Sequence, residues 1–176
     1  MVEHLRFHAV KTDGGPFLLR SGEMSSWYID ARQTTFAGDG AALVGAAVLE
    51  HLPADVGAVG GMTMGADPIA LATAIAAHGA GRLLQAFSIR KEAKDHGMGG
   101  RLVGPVTPGT RVLVLEDTTT TGGALIEAIE VARGEELHVV GALSVVDRSA
   151  GVVAAKLGGL GIDYTALVTP ELLGVA

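Results

Sequence analysis

The chain has 176 residues, a formal net charge of −6 and no cysteine, and 48 % of its residues are apolar. That length suffices for one domain with its own core. The acidic balance gives no general basic field for nucleic acid, and the lack of cysteine excludes disulfides and thiol catalysis. We find no signal peptide at the start, and the longest apolar runs are too short to span a bilayer. We therefore expect a cytoplasmic protein with neither a membrane nor a nucleic-acid partner.

The first 35 residues are predicted to form a small hood of short strands. Strands are predicted at 17–19 and 27–29, joined by a polar turn at 20–26. Four of the seven aromatic residues lie here: Phe7, Phe17, Trp27 and Tyr28. They could stack on a flat ligand or pack the hood onto the rest of the chain, and packing is the expected role for most of them.

Strands and helices alternate through the rest of the chain. Helices are predicted at 41–51, 68–78, 124–133 and 150–157, and strands at 56–60, 83–89, 111–115, 137–146 and 164–168. Such alternation is typical of an α/β fold with a mainly parallel sheet flanked by helices on both faces. We predict a single domain over 1–176, with the hood at 1–35 and the α/β core at 36–176.

The most informative stretch is 111–128, where an apolar strand runs into Glu116 and Asp117, then four threonines, two glycines and a helix. Ligands bind at this edge of α/β sheets. Unpaired N–H groups at a helix N-terminus hold phosphate, and glycine lets the backbone approach it. The two carboxylates suit sugar hydroxyls or Mg²⁺. The stretch therefore suggests a ribose phosphate site, although a Thr/Gly-rich turn with helix-capping acids is the simpler alternative.

Two other loops fit the same ligand. The glycine loop at 61–65 follows a predicted strand and precedes a helix, so it could hold a diphosphate, but many such turns contain glycine. The segment 90–101 carries four of the chain's 13 Lys and Arg residues, together with three glycines. We interpret it as a movable cationic lid that neutralises a departing diphosphate. A solvated surface loop is the alternative.

A family resemblance joins these features. Residues 112–124 resemble the PRPP-binding signature of the type I phosphoribosyltransferases, and RKEAKDHG at 90–97 resembles the catalytic loop of the orotate phosphoribosyltransferases. With SSWYID at 25–30 and Val146-Asp147-Arg148, the resemblance covers nearly the whole chain. It implies a type I phosphoribosyltransferase-like fold that converts PRPP and orotate, with Mg²⁺, to orotidine 5′-monophosphate and diphosphate in pyrimidine biosynthesis. It also implies a homodimer whose lid crosses to the neighbouring active site.

The resemblance also implies roles for individual residues. Lys94 would be the main catalytic cation, with His96 as a supporting donor. The PRPP-binding residues would be Arg90, Lys91, Lys94, His96, Glu116, Asp117, Thr118, Thr119, Thr120, Thr121, Gly122, Gly123 and Ala124. Thr120 and Arg148 would bind orotate, since a guanidinium matches a carboxylate in a two-point contact. Asp117 would reach Mg²⁺ indirectly, through ligand or water. Arg148 could instead be a capping or surface arginine.

Three positions depart from the family pattern. Arg20 and the Met64-Gly65 pair stand where family members often carry lysine, and the acid pair is Glu116-Asp117 in place of two aspartates. Each departure bears on one ligand contact. Two rival functions share the same loops: a phosphoribosyltransferase for another base, and a catalytically silent PRPP-sensing regulator.

Overall fold

The computed structural model describes residues 1–18, 22, 24–93 and 100–175. Within these ranges the helices are α1 Val2–His8, α2 Arg32–Thr35, α3 Gly38–Glu50, α4 Ala66–Gly79, α5 Gly123–Gly134, α6 Val152–Gly159 and α7 Pro170–Leu173. The strands are β1 Val10–Lys11, β2 Phe17–Leu18, β3 Met24–Ser25, β4 Tyr28–Ile29, β5 Ala58–Met62, β6 Gln85–Ile89, β7 Leu102–Val103, β8 Arg111–Thr119, β9 His138–Asp147 and β10 Tyr164–Val168.

The main sheet of the described residues has six strands in the order β10-β9-β8-β5-β6-β7. Its strands are parallel except for β7, which runs antiparallel to β6. The predicted α/β fold with a mainly parallel sheet is therefore confirmed. Because β5, β8 and β9 are adjacent and parallel, their carboxyl ends meet at one edge of the sheet.

Helices cover both faces of this sheet. Along β8, Leu113 and Leu115 belong to a buried cluster with residues of α3 and α4. Val112 and Val114 belong to another cluster with residues of α5 and α6. Successive strand residues point to opposite faces, so the continuous apolar run supplies both cores. No helix within the described ranges is long and apolar enough to cross a lipid bilayer.

The hood differs from the sequence expectation. Strand β2 pairs with β3, which lies inside the predicted turn, while β4 pairs with β1. The predicted strands at 17–19 and 27–29 therefore find separate partners. Ile29 is buried in the same cluster as Leu113, and Trp27 packs against that cluster. Phe7, in contrast, is 83 % exposed and is an exception to the expectation that most of these aromatics pack.

Two boundaries near the predicted loops also differ. Strand β8 continues to Thr119, four residues beyond the predicted end, because β9 offers backbone partners as far as Asp147. The acid pair therefore lies in the strand and not in the loop after it. Helix α4 begins at Ala66, two residues before Pro68. Proline is tolerated there because N–H groups of the first helical turn have no partner inside the helix.

Candidate active site

A cleft of about 890 Å³ opens at the carboxyl edge of the sheet. Its walls come from the hood, the end of β8, the start of α5, and the segments after β6 and β9. The lining residues are Leu18, Tyr28, Met62, Lys91, Glu116, Thr118, Thr119, Thr120, Thr121, Gly122, Gly123, Ala124, Glu127 and Arg148. The fold thus brings most of the predicted site residues together, although they come from distant parts of the chain. The predicted catalytic residues Lys94 and His96 lie outside the described residues.

The turn between β8 and α5 has the geometry of an anion cradle. Gly122 precedes the helix in the left-handed conformation, with φ of 78°, and a Cβ there would lie 3.2 Å from the Val153 side chain. No side chain of the described residues caps the helix. Its first N–H groups therefore stay available to a ligand and carry a partial positive charge. Lys156 of α6 donates a hydrogen bond to the Thr121 carbonyl at 2.8 Å and adds a nearby cation.

The two carboxyl groups of the acid pair, Glu116 and Asp117, have different environments. Glu116 is 8 % exposed, and its Oε2 has no hydrogen-bond partner among the described residues. Burial, strengthened by the neighbouring Asp117 carboxyl, raises the pKa of Glu116 well above its ordinary value. Asp117 is half-buried and accepts a hydrogen bond from the Thr118 N–H at 2.7 Å. A buried carboxyl and a partly hydrated one thus stand side by side at the end of β8.

The glycine loop lies against these acids. Strands β5 and β8 pair through Gly61 and Leu115, which brings the turn after β5 next to the end of β8. A Cβ at Gly65 would lie 2.7 Å from Asp117 Oδ1 and 2.9 Å from Glu116 Oε1. The two loops predicted to hold anions are therefore neighbours. Two departures from the family pattern, at Gly65 and Glu116, therefore lie next to each other.

Arg148 also lines the cleft. Its guanidinium carbon is 4.0 Å from the centre of the Trp27 ring, and its backbone N–H donates to the Thr119 carbonyl at 2.9 Å. Burial lowers the pKa of Arg148. Since the side chain is half-buried in a cleft, it is not a free surface arginine. Sequence reasoning missed Trp27 as a support for Arg148, because the two are far apart in the chain.

The carboxylate groups of the cleft suit a magnesium ion that is bound mainly by substrate phosphates and water. Among the described residues, no group of three or more His, Asp or Glu side chains could hold a metal ion. Mg²⁺ commonly keeps several waters and binds through one or two carboxylates together with substrate phosphates. Asp117, half-buried beside the anion cradle, can provide such an indirect contact.

Comparison with known proteins gives a consistent result. No protein-family model matches the chain. A relative from Streptomyces avermitilis, named orotate phosphoribosyltransferase, is 44 % identical over 163 residues, which cover 92 % of this chain and 89 % of the relative. The crystal structure of Mycobacterium tuberculosis H37Rv orotate phosphoribosyltransferase with Fe(III) dicitrate matches with a TM-score of 0.84 and 37 % identity, covering 98 % and 96 % of the two chains. A structure of the same enzyme with PRPP matches with a TM-score of 0.80 and 32 % identity, over the same shares.

The sheet order, the anion cradle and these structural matches define a type I phosphoribosyltransferase fold, with a small hood of short strands at its N-terminus. The high identity over almost the full length then fixes the family within that fold. The chain belongs to the orotate phosphoribosyltransferase family. The resemblance noted from residues 90–97 and 112–124 is confirmed.

Proposed function

We propose that this chain transfers the ribose 5-phosphate group of PRPP to orotate, giving orotidine 5′-monophosphate and diphosphate in pyrimidine biosynthesis. Family membership supports this reaction, and the solved relative with bound PRPP supports the donor. The observation that carries the proposal is one cleft holding the anion cradle at 120–123, the acid Glu116 and the guanidinium of Arg148. A phosphorylated sugar and a carboxylated base need those three features in one place.

Each wall of the cleft suits one part of the substrates. The N–H groups and hydroxyls of the cradle would bind the 5′-phosphate, while Glu116 and Asp117 would bind the ribose hydroxyls. Arg148, supported by Trp27, would pair with the carboxylate of orotate, with Thr120 as a second contact. When bound with PRPP, Mg²⁺ would supply positive charge that offsets the diphosphate oxygens.

The proposed mechanism is dissociative. The C–O bond to diphosphate breaks and its electron pair leaves with the diphosphate, so the ribosyl carbon gains oxocarbenium character. The orotate ring nitrogen then bonds to this carbon, and its proton passes to the departing diphosphate. The protein's part is to position the base, stabilise the departing charge and exclude water. Arg90 and Lys91 would act on the diphosphate. Lys94 and His96, which lie outside the described residues, are assigned to it by resemblance alone.

We further propose a homodimer in which the cationic lid at 90–101 of one subunit contributes residues to the active site of the other. The family resemblance supports this arrangement. Mixing inactive Lys94→Ala and Asp117→Asn subunits tests the sharing, because activity returns only if an intact loop reaches an intact site in a mixed dimer. A cytoplasmic location is also proposed, and the absence of cysteine agrees with a reducing compartment.

A base-specificity assay tests the function. The protein is incubated with PRPP and MgCl₂ and with orotate, uracil, adenine or hypoxanthine in turn, and diphosphate release is measured. We expect turnover with orotate alone, because the other three bases lack the carboxylate that Arg148 binds. Turnover of a purine but not of orotate would favour a phosphoribosyltransferase for another base. Diphosphate release that stays undetectable at high protein concentration would favour the regulator.

A further inference from the structure

Arg101 joins three separate parts of the cleft. Its Nε donates to the Arg90 carbonyl at 2.7 Å, and the Arg90 N–H donates back to the Arg101 carbonyl at 2.8 Å. Its guanidinium forms an ion pair with Glu127 of α5 at 2.5 Å. The same guanidinium lies 3.8 Å from the sulfur of Met62, at the end of β5. Arg101 therefore ties the segment after β6 to the helix that follows the anion cradle.

The partners of Arg101 lie at the active cleft. Glu127 lines the cleft, five residues after Gly122, and Met62 lines it as well. Lys91, the cation next to Arg90, lines the same cleft. One side chain, that of Arg101, thus links the backbone next to Lys91 to the helix that begins at the cradle. The Arg101 side chain is 23 % exposed and that of Glu127 is 49 % exposed, so solvent screens the ion pair mainly from the Glu127 side.

The ion pair also matters for the charge of the site. An unpaired Glu127 carboxylate on the anion-binding helix would repel the phosphates of a ligand. Arg101 neutralises that carboxylate while its Nε keeps the Arg90 backbone in place. Loss of Arg101 therefore has two consequences, a displaced cationic segment and an exposed negative charge. Loss of Glu127 has only the first, since no negative charge remains.

We propose that Arg101 and Glu127 form a positioning bridge, which holds the Arg90-Lys91 segment at the diphosphate end of the cleft and cancels an adverse charge there. Arg101 acts through its neighbours and is not itself a catalytic residue. The bridge rests on the proposed function insofar as its ligand is the diphosphate group of PRPP.

Binding and kinetics of four variants test the bridge. Affinity for inorganic diphosphate and for PRPP, each with MgCl₂, is measured by calorimetry, and kcat and KM by turnover of orotate. Arg101→Met is expected to weaken diphosphate affinity about tenfold and to raise KM for PRPP. Interaction free energies between residues in contact are commonly large enough to change affinity by about that factor. Glu127→Gln should weaken diphosphate affinity less than Arg101→Met does. The double variant should bind better than Arg101→Met alone, because the adverse charge is gone, and Arg101→Lys should be intermediate.

The matched control is Asp55→Asn, which breaks the Arg111–Asp55 ion pair of 2.8 Å at the opposite end of β8. It should leave diphosphate affinity unchanged. Additive losses in the double variant, or an Arg101→Met protein with wild-type affinity, would overturn the bridge. If Arg101→Met does not fold, the comparison of Glu127→Gln and Arg101→Lys with wild type decides, and wild-type affinity in both overturns the bridge.

The two proposals fail in different ways. Wild-type protein that binds diphosphate but does not turn over orotate contradicts the proposed function, and the variant affinities still decide the bridge. Wild-type protein that turns over orotate while the variants keep its affinity contradicts the bridge alone. Wild-type protein that binds neither diphosphate nor PRPP contradicts both.

Discussion

Single residues of the cleft take their properties from their surroundings. Glu116 and Asp117 are neighbours in the chain, yet Glu116 is buried and its Oε2 has no hydrogen-bond partner within the described part of the chain, while Asp117 is half-buried and accepts a hydrogen bond from the Thr118 N–H. Because burial disfavours the charged form, the pKa of Glu116 is raised. Glu116 is therefore protonated more readily than an ordinary glutamate, and its protonated carboxyl group can donate a hydrogen bond, which an ionised carboxylate cannot do.

The raised pKa of Glu116 predicts a pH dependence of stability. Above its ordinary pKa the unfolded chain releases the Glu116 proton while the folded protein keeps it. The folded state then binds more protons, so stability from this group falls as pH rises. Glu116→Gln removes that loss. Urea unfolding should give similar free energies for the two proteins near about pH 5 and an increasing advantage for the variant toward about pH 8. Parallel curves over this interval would contradict the prediction.

The contact between Trp27 and Arg148 predicts a selective effect on the base. Such cation–π contacts contribute about 0.5–2 kcal/mol, so Trp27→Leu should raise KM for orotate roughly threefold to thirtyfold. PRPP affinity should change little, because the phosphate cradle lies elsewhere in the cleft. Steady-state kinetics with each substrate varied measures both. Phe7→Leu is the control, since Phe7 is an exposed aromatic of the same hood. Equal changes for both substrates would contradict the role of Trp27.

At the scale of elements, the packing of α4 fixes the loop that faces the acid pair. Only the turn at 63–65 separates β5 from α4, so the position of α4 constrains this short turn. Helices α3 and α4 cross at Gly45, where a Cβ would lie 2.6 Å from the backbone of Ala72. Glycine there allows two helix backbones to approach closely, and this approach in turn sets the position of Gly65 against Asp117.

The helix crossing predicts a matched pair of stability changes. Gly45→Ala should lower the free energy of unfolding by about 1–3 kcal/mol, because a methyl group is forced into a packed backbone. Gly38→Ala, at the start of the same helix, meets open space among the described residues and should be neutral or stabilising by up to about 1 kcal/mol. Urea unfolding measures both. A Gly45→Ala protein as stable as Gly38→Ala would contradict the close crossing.

At the scale of the whole molecule, exposed apolar residues of a second cleft and of α4 form a candidate association surface. Phe36 and Met64 share a second cleft of about 610 Å³ with Arg32, and both are more than half exposed. Leu71 and Ile75 continue from Met64 along α4 and are 58 % and 72 % exposed. Residues four apart lie on one helix face, and large exposed apolar patches mark interaction sites. This surface is where we expect the second copy of the proposed homodimer to bind.

The dimer surface predicts a change in assembly. Leu71→Glu should shift the molar mass measured by light scattering from dimer to monomer, because association would bury an unpaired carboxylate. Leu83→Glu is the control, since Leu83 is 81 % exposed and precedes β6 at another position. A wild-type monomer at micromolar concentration would contradict the dimer. A Leu71→Glu dimer would contradict this surface.

The alternation of strands and helices was predictable because the hydrophobic pattern of neighbouring residues indicates each element. The strand at 164–168 matches β10, and the helix at 124–133 lies within α5. The ends of elements were less predictable where tertiary partners extend them. The prediction ended the central strand at residue 115, since polar residues follow, but pairing with β9 carries β8 through Glu116 to Thr119. Two strands of the hood were predicted, but β1 and β3, with which they pair, were not, because two-residue strands leave little pattern in a sequence.

The sequence by itself determined the order of strand, acids, threonine–glycine turn and helix, and hence the family and the prediction of a phosphate site. Such information is local, because neighbouring residues set backbone conformation, hydrophobic period and the free N–H groups of a helix start. Only the tertiary structure decided that Trp27 supports Arg148, that Gly65 lies against Asp117, and that Arg101 reaches Glu127. The first two contacts join residues far apart in the chain, and all three depend on which strands are neighbours and how helices pack over them, which no local pattern records.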